Sequence, residues 1–465
     1  MAATYSERLA RWFLGLGYDD LPADVVENTR LHILDIVGLA LLVGTQPFGG
    51  VVRRAVGAMG RGEECHILGL GGRTSGALAA LANGAMAGRL DYDDTHNETH
   101  LHHGPVIVSA ALAAGEMAGV DGRGFLAAVA GGNEIGCRLA VVAPGQFVRS
   151  GFHTTALVGT LSSAMTAARL LGLTTEQAVN AVGIAGSQAS GILQCFSDGT
   201  WTKSLHFGWA PHGGLTAALL AREGFLAPAE ILEGRWGLFR SHVPYEDAIL
   251  DFERMVEGLG ELWENRAISI KLYPAGCVIH PYLDAVLYLH RQEGLRAEEV
   301  KSITMPVSPH WVPLICEPIG EKLRPATEMA ARVSLNYSVA EALYRGGLGV
   351  DGYAEENITH PEILALAART RYVVDENPPA RRHFNGRVIV ETTDGRTLER
   401  IEDPWSKGYL DNPETPAQVH AKFRENASRA LPEARVEAII DAVAGLEDLT
   451  DIRHLAGLCV TEEKQ

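Results

Sequence analysis

The sequence has few of the features that mark secreted, membrane or nucleic-acid-binding proteins. Its six cysteines are scattered with no Cys-x-x-Cys pair, which indicates reduced thiols and argues against a disulfide framework or a cysteine-built zinc site. The most apolar early run, residues 33–44, contains Asp35 and is too short to cross a bilayer. The first residues also lack the basic and apolar segments of a secretory signal. These absences predict a soluble, cytoplasmic protein with no membrane partner.

Positive charge is scarce. The chain has 40 lysines and arginines but 57 aspartates and glutamates, so its formal net charge is −17. Nucleic acid is therefore not expected as a partner, since its phosphates require a basic face. An anionic substrate would need a local concentration of cations in so acidic a protein. The lysines and histidines near unusual loops are thus the first candidates for a binding site.

Motifs for nucleotide and hydrolase chemistry are also missing. No P-loop, Gly-x-Ser-x-Gly elbow or His-Glu-x-x-His motif is present. The loop Gly69-Leu70-Gly71-Gly72 precedes a predicted helix, and Asp91 follows at about the Rossmann distance. That fingerprint needs a second strand ending at the acidic residue, whereas here the predicted helix runs on to Asp91. We therefore expect no nucleotide cofactor.

Length and composition predict a globular protein of two domains. The chain has 465 residues, of which 46% are hydrophobic and 21% charged, and it is too long for one ordinary core. The first half is rich in Ala, Gly and Leu at helical spacing. We predict a mostly α fold with an α+β second domain: a helical domain over residues 1–265, an inserted α+β domain over 266–400, and a helical tail over 401–465 that returns to the first domain.

Several local signals support this division. Residues 76–90 form a predicted helix, and Thr174 to Gln177 match a capping box that starts another. Residues 267–274 and 302–307 are β-prone, and residues 386–400 are typical of a hairpin around Asp394-Gly395.

The densest group of ionisable side chains lies at residues 91–105, directly after the first of these helices. Carboxylates and four imidazoles are interleaved there, and such clusters shift each other's pKa values and can supply a general acid and base. One alternative is a solvated loop with helix-capping aspartates. Another is a metal-dependent hydrolase with Asp93, His96, His100 and His102 as ligands, since imidazole and carboxylate suit several metals.

Three further segments carry candidate chemistry. His153 precedes a predicted helix in Gly151-Phe152-His153. Residues 197–213 are predicted to form a loop between helices, in which Lys203 could hold a carboxylate and His206 could hydrogen-bond locally. Lys271 ends a predicted strand before a proline turn, a position that can face a cleft between domains. A structural role for each of these residues is the alternative.

Taken in order, these segments resemble the MmgE/PrpD family, whose known members include 2-methylcitrate dehydratases, cis-aconitate decarboxylases and an iminodisuccinate epimerase. The matching motifs span nearly the whole chain: DYDDTH at 91–96, HHG at 102–104, GFH at 151–153, DGTWTKSLHFGWAPHGG at 198–214, KLYPAG at 271–276, SLNY at 334–337 and KF at 422–423.

The resemblance implies a large helical domain built from both chain ends, a smaller α/β domain, usually a homodimer, and cofactor-free chemistry on a small carboxylate substrate in a cleft between the domains. Family site positions correspond to Asp91, Thr95, His102, His153, Lys203 and Lys271. To these we add His206, Tyr273 and His310 as expected substrate contacts. The remaining imidazoles of the first segment, His96, His100 and His103, lack the family match and are expected to face solvent.

The resemblance implies proton abstraction beside a carboxylate, with Lys203 and Lys271 binding carboxylate oxygens. His102 and His153 are then candidates for base and acid, and Asp91 orients or tunes one of them. The decarboxylase branch has a histidine where this chain has Gly276 and a tyrosine near the position of His310. We therefore favour a dehydratase-type lyase, with an epimerase or other isomerase as the alternative and decarboxylation third.

Overall fold

The structure is a computed structural model that describes residues 3–378, 384–402, 408 and 412–461. It is mostly helical and carries one small mixed sheet, so the predicted fold class is confirmed.

The helices and strands follow one another in an order that separates a helical first half from a mixed later segment. The helices before residue 265 are α1 (Tyr5–Gly15), α2 (Ala23–Gly44), α3 (Pro47–Met59), α4 (Gly76–Ala87), α5 (Gly104–Ala118), α6 (Gly122–Ala140), α7 (Gln146–Arg149), α8 (Thr154–Leu170), α9 (Thr175–Gln188), α10 (Gln194–Asp198), α11 (Thr202–Arg222) and α12 (Leu238–His242). The later helices are α13 (His280–Gln292), α14 (Val312–Ile315), α15 (Ile319–Leu323), α16 (Glu328–Arg332), α17 (Leu335–Arg345), α18 (Glu355–Ile358), α19 (Pro361–Ala367), α20 (Thr415–Ala427), α21 (Glu433–Ala444) and α22 (Arg453–Leu458). The strands are β1 (Cys65–His66), β2 (Arg73–Thr74), β3 (Thr95–His96), β4 (Ile268–Ser269), β5 (Val300–Val307), β6 (Thr370–Val374), β7 (Gly386–Thr392) and β8 (Thr397–Glu402).

The larger core is built from both ends of the chain. Apolar side chains of α1 to α9 and α11 share it with those of α20 to α22, from Phe423 to Cys459. A buried ion pair also joins the two ends, because Lys422 Nζ of α20 lies 2.6 Å from Asp35 Oδ1 of α2. Burying either charge alone would be costly, so the pair specifies how α20 sits on α2.

Glycines let the central helices approach closely. A Cβ atom on Gly84 of α4 would lie 2.2 Å from the carbonyl oxygen of Phe207 on α11, and one on Gly208 would lie 2.1 Å from the carbonyl oxygen of Leu81. Neither position can hold a side chain without moving a backbone. The Ala- and Gly-rich composition therefore sets the short distance between α4 and α11.

A second, smaller core surrounds the mixed sheet, whose strand order is β6-β5-β7-β8. Strand β5 pairs parallel with β6 and antiparallel with β7, and β7 pairs antiparallel with β8. The hairpin predicted for residues 386–400 is confirmed, with Asp394-Gly395 at its turn and Gly395 in the left-handed region at φ 90°. Helices α13 and α17 contribute buried side chains to this core.

Most of the predicted local elements are present, but two differ. Thr174 caps α9 through a capping box with Gln177, as predicted. The strand predicted for residues 267–274 is reduced to Ile268–Ser269. The loop predicted for residues 197–213 was wrong, because α11 begins at Thr202 and continues through Pro211. Its small residues, aromatics and cationic residues suggested a loop, whereas Gly208 serves the contact with α4 and only Gly199, at φ 62°, interrupts the helices by ending α10.

Over the described ranges, none of the helices is by itself long and apolar enough to span a membrane. The bent pair Ala23–Gly44 and Pro47–Met59 meets the length and composition requirement only when taken together.

Candidate active site

The candidate site forms where the segment between α4 and α5 meets the start of the smaller domain. Strand β3 pairs antiparallel with β4, so that Thr95 lies opposite Ser269 and His96 opposite Ile268. This short ladder aligns the two segments, and Lys271 follows it directly. Residues 180 positions apart in the sequence are thereby brought into contact.

Asp91 is the centre of the site. Its Oδ1 atom accepts hydrogen bonds from Lys203 Nζ and Lys271 Nζ, each at 2.8 Å, and its backbone oxygen accepts a second bond from Lys271 Nζ at 3.1 Å. All three residues are buried. Asp91 also adopts a left-handed backbone conformation with φ 51°, which is uncommon for a residue other than glycine. The lysine contacts hold this strained backbone in place.

Asp91 and Lys271 both stay charged in spite of their burial. Burial alone would raise the pKa of Asp91, but the Lys203 and Lys271 ammonium groups outweigh it and hold the pKa well below its usual range. Burial likewise opposes the charge of Lys271, while Asp91 and Asp93 raise its pKa above the ordinary value. The site therefore buries two lysine side chains together with the Asp91 and Asp93 carboxylates.

His102 is oriented by its Nδ1 atom. This nitrogen lies 2.9 Å from the backbone oxygen of Asp94, 3.1 Å from Thr95 Oγ1 and 3.3 Å from Asp93 Oδ2. A carbonyl and a carboxylate only accept hydrogen bonds, so Nδ1 carries the proton. When His102 is neutral, its lone pair is consequently on Nε2. The backbone N–H of His102 donates to Thr155 Oγ1 at 3.0 Å, which fixes the loop as well as the ring.

His153 and His206 form a second imidazole pair beside the first. His153 is the N-cap residue of α8, and His206 lies one turn after Lys203 on α11. Their Nδ1 atoms are 3.2 Å apart, and the His153 and His102 ring centroids are 6.2 Å apart. Burial and the nearby Lys203 ammonium lower the pKa of His153 well below its ordinary value and that of His206 to about 4. Both imidazoles are therefore neutral at neutral pH.

Lys422 connects the two backbone segments that form the site. Its Nζ donates to the backbone oxygens of Tyr92 at 2.7 Å and Lys271 at 2.8 Å, in addition to its ion pair with Asp35. It also lies 3.7 Å from the centroid of the Tyr92 ring. A residue from the C-terminal helices thus holds together the two backbones that carry Asp91 and Lys271.

The structure brings seven of the nine predicted site residues together. They are Asp91, Thr95, His102, His153, Lys203, His206 and Lys271. Their roles stay predictions. The Tyr273 hydroxyl instead donates to Asp284 Oδ1 at 2.6 Å. His310 is exposed in the turn after β5, beside Trp311.

The expectation that the remaining imidazoles face solvent was wrong for two of the three. His96 and His103 are fully buried, and His100 is half-buried with its ring 5.0 Å from that of Trp311. His103 Nε2 lies 2.8 Å from Ser162 Oγ, and a Cβ atom on Gly136 would lie only 1.9 Å from the His103 ring. His103 is therefore a packed core residue whose space is provided by a glycine.

The metal-site alternative required Asp93, His96, His100 and His102 to converge, but the structure directs His96 and His100 away from Asp93 and His102. His96 Nε2 is directed towards Glu264 at 3.8 Å, and His100 packs against Trp311. Across the described part of the chain, the potential ligands that lie within 4.8 Å of one another are Asp91, Asp93 and His102. A cation there would meet two ammonium groups at Asp91 Oδ1, which oppose its binding.

Three further residues lie in the site but were not among the nine predicted site residues. Asp93 is fully buried; burial would raise its pKa, but Lys271 and His102 lower it below its ordinary value. Thr155 anchors the His102 backbone. The Phe207 ring lies 5.5 Å from that of His153 and 6.2 Å from that of His102. The position of Asp93 inside the DYDDTH motif was a usable signal.

Comparison with known proteins gives matches over most of the chain. Residues 7–250 match the MmgE/PrpD N-terminal domain, and residues 273–448 match the MmgE/PrpD C-terminal domain. The chain is 28% identical to the cis-aconitate decarboxylase of Aspergillus terreus over 97% of this chain and 95% of that protein. It is 27% identical to the cis-aconitate decarboxylase of Homo sapiens over 98% and 95% of the two chains. It is also 27% identical to the 2-methylcitrate dehydratase of Cupriavidus necator over 78% of each.

Proposed function

The chain belongs to the MmgE/PrpD family, and from that premise we propose that it is a cofactor-independent lyase acting on a small di- or tricarboxylate. The observation that carries the proposal is the pair of buried ammonium groups on Asp91, with His102 and His153 beside them. The reaction would begin with removal of a proton from a carbon next to a substrate carboxylate.

Negative charge develops on the carboxylate oxygens as that proton leaves, and the two lysines are placed to stabilise it. Each ammonium group has three N–H donors. Lys203 uses one of them for Asp91, and Lys271 uses two. Lys203 therefore has donors left for a substrate carboxylate. Fixed cations in a buried site stabilise a developing anion more strongly than solvent would.

We assign the base to His102 and a hydrogen-bond donor to His153. The lone pair of neutral His102 lies on Nε2, and across the described residues no protein group hydrogen-bonds to that atom. Neutral His153 would present an Nε2–H to the oxygen that becomes negative or departs, as uncharged imidazoles can do. In a dehydration His102 takes the proton, the resulting imidazolium protonates the departing hydroxyl so that it leaves as water, and a carbon–carbon double bond forms.

Decarboxylation is a second candidate that the comparisons favour. The two cis-aconitate decarboxylases match over nearly the whole of both chains, whereas the 2-methylcitrate dehydratase matches over 78%. Gly276 stands where the decarboxylase branch has a histidine, which supports dehydration. A Cβ atom on Gly276 would meet nothing closer than 3.8 Å, so the backbone contacts there do not themselves require glycine.

The test is a panel of di- and tricarboxylates incubated with the enzyme in deuterated water and followed by ¹H and ¹³C NMR. Dehydration yields an alkene, decarboxylation releases carbon dioxide, and epimerisation gives deuterium exchange with a stereoisomer. The same assays after treatment with a chelator should give unchanged rates. A panel that shows neither turnover nor α-carbon exchange would refute the proposal, as would activity that disappears with the chelator.

The homodimer and the cytoplasmic location implied by the resemblance form part of this proposal. Sedimentation velocity at micromolar concentration tests the first, with a dimer expected and a monomer contradicting it. Fractionation of the source cells tests the second.

A further inference from the structure

The contact between His153 and His206 has a consequence for the proton positions on both rings. The facing atoms are both Nδ1, 3.2 Å apart, and both residues are almost completely buried. A hydrogen bond between two nitrogens needs one N–H and one lone pair. The two neutral rings must therefore adopt opposite tautomers, one with its proton on Nδ1 and the other with its proton on Nε2.

We propose that His206 is a positioning residue that donates its Nδ1–H to His153 Nδ1 and thereby holds His153 as the Nε2–H tautomer. The direction of this bond rests on the proposed function, in which His153 donates from Nε2. The opposite direction would leave a lone pair on His153 Nε2 and make it a second base beside His102. His206 is thus assigned a role through His153 in place of the direct substrate contact expected from the sequence.

The surroundings fix both rings in this arrangement. The backbone N–H of His153 donates to the backbone oxygen of Gly191 at 2.9 Å. Gly191 adopts φ 146°, and a Cβ atom there would lie 3.2 Å from the His206 ring. The Phe207 ring packs edge-on against His153. These contacts hold the His153 backbone and pack its ring, and within them the Nδ1 atoms of the two imidazoles face each other.

Among the residues that the structure describes, His206 is the one hydrogen-bond partner of the His153 ring. In the described part of the chain His153 Nε2 has no hydrogen-bond partner, so the Nδ1 contact is the single one that can select a proton position. Loss of the His206 donor would let His153 populate both tautomers or rotate its ring. A partner that fixes the tautomer of a functional histidine typically contributes roughly 10–100-fold to activity.

The direct test is ¹⁵N NMR of the substrate-free enzyme labelled at its histidine ring nitrogens. We expect two neutral rings with opposite tautomers, with the proton on Nε2 of His153 and on Nδ1 of His206. The variants His206→Asn and His206→Leu identify the ¹⁵N signals of the His206 ring, because both variants lack that ring. An asparagine amide N–H can replace Nδ1–H and should keep the His153 tautomer, whereas leucine cannot.

The kinetic test uses the same variants with the best substrate of the panel. His206→Leu should lower kcat roughly 10–100-fold, and His206→Asn should recover most of that loss. His212→Asn on the same helix is the matched control, because its Nδ1 contacts the backbone oxygen of Ala77 away from the site. Its kcat should match that of the wild type.

Two results would overturn the inference. One is a ¹⁵N spectrum with the proton on Nδ1 of His153, or with either ring protonated on both nitrogens at neutral pH. The other is equal activity of the leucine and asparagine variants, both folded by circular dichroism. Because the spectrum needs no substrate, failure of the proposed reaction and failure of this inference are separate observations.

Discussion

At the scale of single residues, burial disfavours the charges of the candidate site and ion pairing stabilises them. Asp91, Lys203 and Lys271 are each buried, and each would lose its charge if it stood alone. Two ammonium groups on one carboxylate oxygen avoid that outcome and leave donors for a ligand. Replacing either lysine should consequently lower kcat/KM strongly.

We predict that Lys203→Met and Lys271→Met each lower kcat/KM by about 10²–10³, the usual effect of removing one stabilising contact to a developing anion. Methionine keeps most of the side-chain stem, so packing changes little. Lys301→Met is the control, because Lys301 is exposed on β5 and paired with Glu391. Folded Lys203 and Lys271 variants with near-normal kcat/KM would show that the site lies elsewhere.

His102 and His100 are close in sequence but differ in their surroundings. His102 is oriented by three acceptors or hydroxyls at Nδ1, while His100 packs against Trp311. We predict that His102→Gln lowers kcat at least about 100-fold, within the usual range for general acid–base catalysis.

His100→Asn should change kcat less than about tenfold. Asparagine is the better replacement because His100 has φ 55°, a left-handed conformation that asparagine tolerates. Steady-state kinetics on both variants, with folding checked by circular dichroism, decides the comparison. A dispensable His102 with an essential His100 would mean that the wrong imidazole has been assigned as the base.

At the scale of helices and strands, close backbone contacts place the side chains of the candidate site. Lys203 and His206 lie in the first two turns of α11, and α11 is set against α4 by Gly84 and Gly208. The distance between these helices determines where Lys203 meets Asp91, four residues beyond the end of α4. Glycines far from the reacting atoms therefore control the geometry of the site.

We predict that Gly84→Ala lowers the free energy of unfolding by about 1–3 kcal/mol, because its Cβ would overlap the Phe207 carbonyl oxygen and force the helices apart. Gly57→Ala is the matched control. Gly57 is exposed inside α3 with no atom within 4 Å of a built Cβ, so alanine should stabilise by about 0.5–1 kcal/mol. Chemical denaturation of both variants measures the difference. Equal effects at the two positions would contradict the close-packing explanation.

At the scale of the whole molecule, several imidazoles are held neutral inside the fold. Burial lowers the pKa of His103 to about 4 and that of His280 to about 3, from an ordinary value of 6.5. Between these values and 6.5 the unfolded chain binds more protons than the folded protein. Stability therefore rises with pH in this window and is lost as pH falls from 6.5 towards 4.

We predict that His103→Gln reduces the slope of unfolding free energy against pH between 6.5 and 4, by up to about 1.4 kcal/mol per pH unit. Asp35, whose pKa burial raises to about 6 against the opposing charge of Lys422, gives a slope of opposite sign. It is present in both proteins and cancels in the comparison. His454→Gln, at an exposed position of α22, should leave the slope unchanged. An unchanged slope in His103→Gln would show that His103 does not resist protonation in the fold.

The sequence by itself determined the elements whose signals are local. The helix at α4, the capping box of α9 and the hairpin of β7 and β8 depend on neighbours a few residues away, and all three were predicted. The ordered motifs also identified the family and most of the clustered site residues, because a motif is a short run of residue types that can be recognised without the structure. The negative net charge made the lysines near unusual loops candidates for a binding site, and the structure brings Lys203 and Lys271 together at Asp91.

Only the tertiary structure decided burial and hydrogen-bond partners. His103 was expected in solvent, but the space left by Gly136 accepts its ring inside the core. Tyr273 follows Lys271 closely in sequence, yet its hydroxyl binds Asp284 of α13. The contacts of His153 with His206 and of Lys422 with the Asp91 and Lys271 segments join residues 53 to 330 positions apart. Local sequence constrains backbone conformation over a few residues, whereas such contacts arise only when distant segments pack against each other.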